Sequence, residues 1–99
     1  MKLPAKVKLG GHVYRISSRK SLDSKSPKLW GLIDHAKQVI YINPNSPIVD
    51  TLLHEIVHAG ECATGADLTE DQVDSLAKLF AAFIADNKPL LRWLMKNLG

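Results

Sequence analysis

Two histidines spaced one helical turn apart, with a glutamate directly after the first, are the residues best suited to chemistry. They are His54, Glu55 and His58, within the segment His54-Glu55-Ile56-Val57-His58. Residues four apart lie on the same face of a helix, so both imidazoles can reach one ion. Zinc accepts nitrogen ligands in a tetrahedral shell, and Glu55 is placed to take a proton from a water molecule at the metal. The pattern predicts a hydrolytic zinc centre.

A hydrolytic zinc site normally needs a third protein ligand. Glu70 and Asp74 are the best-placed acids, because they lie four residues apart at the start of a later amphipathic segment. The acid that does not bind the metal can orient a ligand histidine. Asp71, turned further toward solvent, and Cys62, near a predicted helix end, are further candidates. Any one of these acids can instead be a helix N-terminal residue stabilised by the helix dipole.

The helix that carries the histidines is predicted to run from Ile48 to about Glu61. Its apolar residues recur at three- and four-residue spacing, which places them on one face. Ser46 suits the N-cap and Pro47 the first helical position, where no N–H is needed. The segment 63–66, which contains a glycine, is expected to end the helix.

Short β-rich runs precede this helix, and two further helices follow it. Residues 6–9 and 12–18 flank Gly10-Gly11, a hairpin signal, and two more runs cover residues 29–34 and 38–42. Residues 19–29 are otherwise a predicted loop. Thr69 and Gln72 form a capping-box pattern for a second helix to about Asp86, and Asn87-Lys88-Pro89 marks a third. We predict a single α+β domain with a small antiparallel sheet of three or four strands.

Composition narrows the class of protein. The formal net charge of +3 comes from scattered Lys and Arg with acids interspersed, which does not indicate nucleic-acid binding. The single cysteine cannot form an internal disulfide. Residues 1–6 lack the apolar stretch of a signal peptide, and no apolar run approaches the roughly 18 residues of a membrane span. From composition we expect a cytoplasmic monomer with no membrane partner, and from the His-Glu-x-x-His motif we expect a protein or peptide substrate.

Much of the chain resembles a family of small metallopeptidases. Residues 51–59 around the His-Glu-x-x-His motif, residues 31–34 and 38–42 before them, and residues 68–77 after them carry the resemblance. Together they look like the minimal zincins of the minigluzincin and ImmA/IrrE-like type, in particular the short bacterial and phage forms. The resemblance covers about residues 5–86.

The resemblance implies a zinc peptidase with His54 and His58 as ligands, Glu55 as general base and an acid of the second helix as the third ligand. It also implies that strand 38–42 is the rim of the cleft, along which an extended peptide adds as another strand. Many ImmA-like members carry the acidic ligand in a Glu-Ala-Asn-like motif. Here the position before Val73 is Gln72, which leaves the identity of that ligand open.

Two other functions compete with peptide hydrolysis. One is a zinc-binding bacterial or phage interaction protein that cleaves nothing, because a lone compact domain leaves little wall for a substrate pocket. The other is a structural or nucleic-acid-associated domain in which the histidines are incidental.

Overall fold

A computed structural model describes residues 2–20 and 30–99 of the chain. Within them, four strands precede three helices, which confirms the predicted α+β class. Residues 21–29, including most of the predicted loop and the start of the third β-rich run, lie outside the described residues. The elements are β1 (Lys6–Leu9), β2 (His12–Ser18), β3 (Gly31–Asp34), β4 (Val39–Ile42), α1 (Ile48–Thr64), α2 (Glu70–Asp86) and α3 (Lys88–Asn97).

The strands form one sheet in the order β1-β2-β4-β3. Gly10 and Gly11 both have positive φ and join β1 to β2 in the predicted hairpin. The sheet differs from the prediction at its centre, because β2 and β4 run parallel, with Arg15 opposite Val39. A parallel pair needs a connection of about a dozen residues or more, and the chain between Ser18 and Val39 satisfies this. The sheet is therefore mixed.

The strand order also corrects the predicted rim of the cleft. β4 pairs with β2 on one side and with β3 on the other, so it is an inner strand and cannot accept a further strand. Among the described residues, β3 is the edge strand on this side of the sheet. α1 packs against β3, β4 and β1. The rim beside α1 is thus Gly31–Asp34 and not residues 38–42.

The start of α1 differs from the prediction by one residue. Pro47 occupies the N-cap position and no side chain caps the helix there. The hydroxyl of Ser46 instead donates a hydrogen bond to the carbonyl of Asn43, at 2.7 Å, so it serves the preceding turn. The helix continues to Thr64, beyond the predicted end, and Gly65 terminates it in the left-handed conformation with φ of 78°.

Two apolar clusters hold the helices in place. Between the sheet and α1 the buried residues are Tyr14, Ile40, Ile42 and Ala59, all fully inaccessible to solvent. A smaller cluster of Val57, Val73 and Ala77 joins α1 to α2. The predicted capping box starts α2, since the hydroxyl of Thr69 and the side chain of Gln72 each accept a hydrogen bond from the other residue's backbone N–H.

α3 contributes no buried residue to either cluster. Across residues 2–20 and 30–99, none of the helices combines the length and the apolar character required to cross a bilayer.

Candidate metal centre

The two histidines of α1 converge on one side chain of α2. The ring centroids of His54 and His58 are 4.9 Å apart. The Nε2 atom of His58 lies 2.9 Å from Oε1 of Glu70, and the Nε2 atom of His54 lies 3.3 Å from Oε2 of the same carboxylate. Because one carboxylate reaches both Nε2 atoms, these nitrogens point toward a common volume. That is the arrangement expected of two imidazole ligands spaced one helical turn apart.

The three candidate acids of α2 have different surroundings. Glu70, at the first position of the helix, reaches the histidines although its side chain is 74% exposed. Asp74 forms an ion pair with Lys78 at 2.9 Å and borders a cavity beside His54. Asp71 borders a separate surface cavity formed by residues of the α1–α2 loop and of α2 itself. The geometry therefore favours Glu70 as the acid that would bind the same metal ion as the two histidines.

Glu55 is buried beside this pair. It is 5% exposed, and its Oε2 atom has no hydrogen-bond partner within the part of the chain that the structure describes. Burial raises the pKa of the Glu55 carboxyl, although His58 and His54 lower it in part. An unpartnered carboxylate oxygen in a buried position is costly unless something binds it. A ligand between the histidines would supply that partner.

β3 lies directly against Glu55 because of a glycine. A Cβ atom on Gly31 would lie 2.9 Å from Cγ2 of Thr51 and 3.0 Å from Cγ of Glu55, both closer than atoms normally pack. Only a residue without a side chain lets the strand approach α1 this closely. Gly31 thus places the edge strand beside the proposed base.

Glu61 contacts the other ring nitrogen of His58, Nδ1, and this contact was not predicted. The His58 Nδ1 atom lies 2.7 Å from Oε1 of Glu61, and Oε2 of Glu61 accepts the backbone N–H of Leu68 at 3.0 Å. The hydrogen bonds from Leu68 and from His58 lower the pKa of Glu61, so it is a carboxylate. A carboxylate at Nδ1 fixes the N–H there and leaves Nε2 free to bind a metal. The sequence contains a signal for this contact, because residues three apart on a helix lie on the same face.

The remaining histidines and the cysteine lie elsewhere. His35 is exposed on the β3–β4 turn, and its Nδ1 atom is 3.1 Å from the hydroxyl of Tyr14. His12 is half-buried on β2, and Cys62 is exposed on the last turns of α1. Within the described residues, the group that could hold a metal ion consists of His54, Glu55 and His58, whose ligand atoms lie within 4.8 Å of one another.

This donor set fits zinc. Imidazole and carboxylate groups are ligands that zinc accepts, and the buried Oε2 atom of Glu55 has no hydrogen-bond partner among the described residues. Comparisons of the chain with protein-family models, with curated proteins and with solved structures found no match. The resemblance to minimal zincins therefore stays a prediction, and the geometry of this site is what supports a metal-dependent function.

Proposed function

We propose that this protein is a zinc-dependent metallopeptidase in which His54, His58 and Glu70 hold the metal and Glu55 is the general base. The convergence of both Nε2 atoms on the Glu70 carboxylate, beside the buried and unpartnered oxygen of Glu55, is the observation that carries the proposal. A buried carboxylate oxygen without a hydrogen bond destabilises the fold, and a ligand at the site would offset that cost.

Each residue has a defined task in this proposal. Bound zinc would supply a Lewis acid that polarises the peptide carbonyl and makes a water molecule more acidic. Glu55 accepts a proton from the attacking water. It then delivers that proton to the leaving amine as the C–N bond breaks. Glu61 keeps the ring of His58 oriented through Nδ1.

The fold also offers a path for an extended substrate. On its outer side β3 pairs with no other strand among residues 2–20 and 30–99, so its backbone groups there can bind a peptide as an added strand. Since Gly31 lies against Glu55, a peptide paired with β3 would pass beside the proposed base. Main-chain hydrogen bonds would give affinity without requiring a particular sequence.

The test compares the wild-type protein with Glu55→Gln, both loaded with zinc, on unfolded casein. We expect Glu55→Gln to keep its zinc by metal analysis and to cleave about 10²–10⁴-fold more slowly, the usual contribution of a general base. Asp86→Asn, at the far end of α2, is the matched control and should cleave at the wild-type rate. Full activity in Glu55→Gln would refute the assigned role.

His54→Ala tests the ligand assignment separately, because metal content can be measured without any substrate. We expect clearly lower zinc content after dialysis against a weak chelator. Unchanged stoichiometric zinc would exclude His54 as a ligand.

A zinc-binding interaction protein without hydrolytic activity is the second candidate. It is favoured by large apolar side chains that stay exposed on α3 and directly after it, among them Trp93, Met95 and Leu98. Under this alternative, wild type and Glu55→Gln would bind zinc equally and neither would cleave casein.

A further inference from the structure

A cavity next to the histidines has a character that peptide hydrolysis alone does not explain. It has a volume of about 180 Å³ and opens at the N-terminal end of α1, between that helix, α2 and the start of β3. Its wall includes Trp30, Asp50, His54, Glu55 and Asp74. The cavity is thus continuous with the candidate metal centre, because His54 and Glu55 belong to both.

The two aspartates extend the ligand rows by one helical turn. Asp50 lies four residues before His54 on α1, and Asp74 lies four residues after Glu70 on α2. Four residues advance a helix by about 6 Å, so these carboxylates face the cavity about one turn beyond the metal ligands. The two helices therefore present first the metal-binding groups and then a pair of acids.

The negative charge of this pair is only partly balanced. Asp74 has an ion pair with Lys78, which is 75% exposed and lies outside the cavity wall. Asp50 is exposed and forms no ion pair within residues 2–20 and 30–99. No lysine or arginine of the described residues lines the cavity. Lys78 also interacts electrostatically with Asp50, so one positive charge is set against two aspartates. A cation that enters the cavity would still meet a net negative charge.

Two further features of the wall point to a ligand. The half-exposed indole of Trp30 offers an aromatic face of the kind on which ammonium and guanidinium groups bind. Glu55 is more than nine-tenths buried, and its unpartnered Oε2 belongs to a side chain that lines the same cavity. An acidic pair, an aromatic face and a buried unpartnered carboxylate occur together at the point where a substrate would pass.

We propose that this cavity binds the cationic side chain of a lysine or arginine residue next to the scissile bond, with Asp50 as the residue that determines this specificity. The inference rests on the proposed peptidase function, since it names the class of peptide that the site would select. Asp50 would pair with the ammonium or guanidinium group, and Trp30 would cover its aliphatic stem and its charge.

The binding test uses the zinc-loaded Glu55→Gln protein, which should hold peptides without cleaving them. Two unstructured fluorescent octapeptides, with no other charged side chain, would differ at one central position, lysine in one and norleucine in the other. We expect the lysine peptide to bind about tenfold more tightly by fluorescence anisotropy. Adding Asp50→Asn should remove this difference, whereas adding Asp86→Asn should leave it intact.

Equal affinities for the two peptides, or a lysine preference that survives Asp50→Asn, would overturn the proposal. The absence of measurable binding by either peptide would overturn it as well.

Cleavage by the wild-type protein separates this inference from the proposed function. We expect casein fragments to show lysine or arginine beside the cleaved bonds, and Asp50→Asn to lose that enrichment while its zinc content is unchanged. Cleavage without the enrichment would contradict the specificity and leave the peptidase assignment in place. A lysine preference in binding with no cleavage would contradict the peptidase assignment and leave the cation site in place.

Discussion

The two sides of α1 are packed very differently. Toward the sheet, the core is made of large side chains without solvent access, such as Tyr14 and Ile40. Toward α2, the buried residues of the described chain are the smaller Val57, Val73 and Ala77, and the leucines packed against them are only partly buried. Several large apolar residues of α2, of α3 and of the chain directly after α3 stay exposed: Leu79, Phe80, Ile84, Leu90, Trp93, Met95 and Leu98.

Because of this difference, the residues of the candidate metal centre lie on two helices that are packed to different degrees. His54, Glu55 and His58 belong to a helix that the sheet fixes through a dense core. Glu70 belongs to a helix with a smaller buried face, and its side chain is mostly exposed. We infer that the fold preorganises the histidine pair and the base, whereas the acidic ligand is the adjustable part of the site.

The largest effect is expected from Ile40→Ala, which opens a cavity in the core between the sheet and α1. Removing a fully buried isoleucine side chain to alanine costs about 2–5 kcal/mol of folding free energy. Leu79→Ala on α2 removes a similar volume from a side chain that is 60% exposed, and should change the stability by at most about 0.5 kcal/mol. Urea denaturation of the metal-free proteins measures both values. Similar losses in the two variants would mean that α2 is packed as firmly as the sheet.

A smaller effect is expected when the acidic ligand is changed. Glu70→Gln removes the charge that contacts both Nε2 atoms and should weaken zinc binding by at least about tenfold, or about 1.4 kcal/mol. Asp71→Asn changes the adjacent acid of the same helical turn and should leave the affinity unchanged. Competition with a chromogenic zinc chelator gives both affinities. A loss confined to Asp71→Asn would assign the ligand to that residue instead.

The sequence was sufficient for the parts of the fold that local rules govern. The Gly10-Gly11 hairpin and the capping box of Thr69 and Gln72 are confirmed, because each depends on residues within a few positions of one another. The predicted N-cap, Ser46, was wrong by one residue, because Pro47 occupies that position. The error arises because the hydroxyl of Ser46 has a competing acceptor in the preceding turn.

Local rules did not predict how distant strands pair or how α2 packs on α1. The parallel pairing of β2 with β4 depends on how two hairpins meet across a distant connection, and it moved the predicted rim from residues 38–42 to β3. The spacing of Glu70 and Asp74 allowed either acid to face the histidines. Only the packing of α2 on α1 brings Glu70 to them and leaves Asp74 with Lys78.

Glycine-to-alanine substitutions on the two sides of α1 give the smallest expected effects, with opposite signs. Gly31→Ala would drive a Cβ atom against Thr51 and Glu55, both of which are buried and cannot move freely, and should cost about 1 kcal/mol of stability. Gly60→Ala places its Cβ in open space within α1 and should stabilise the protein by about 0.5–1 kcal/mol, because alanine favours the helix.

Thermal unfolding of the two glycine variants distinguishes packing from backbone preference. If close approach of β3 is what matters, Gly31→Ala should also reduce casein cleavage, since the strand can relieve the contact only by moving away from Glu55 or by displacing it. Gly60→Ala should leave cleavage unchanged. A Gly31→Ala protein with full activity and undiminished stability would mean that β3 can separate from α1 at no cost, and the sheet would then not be what positions the base.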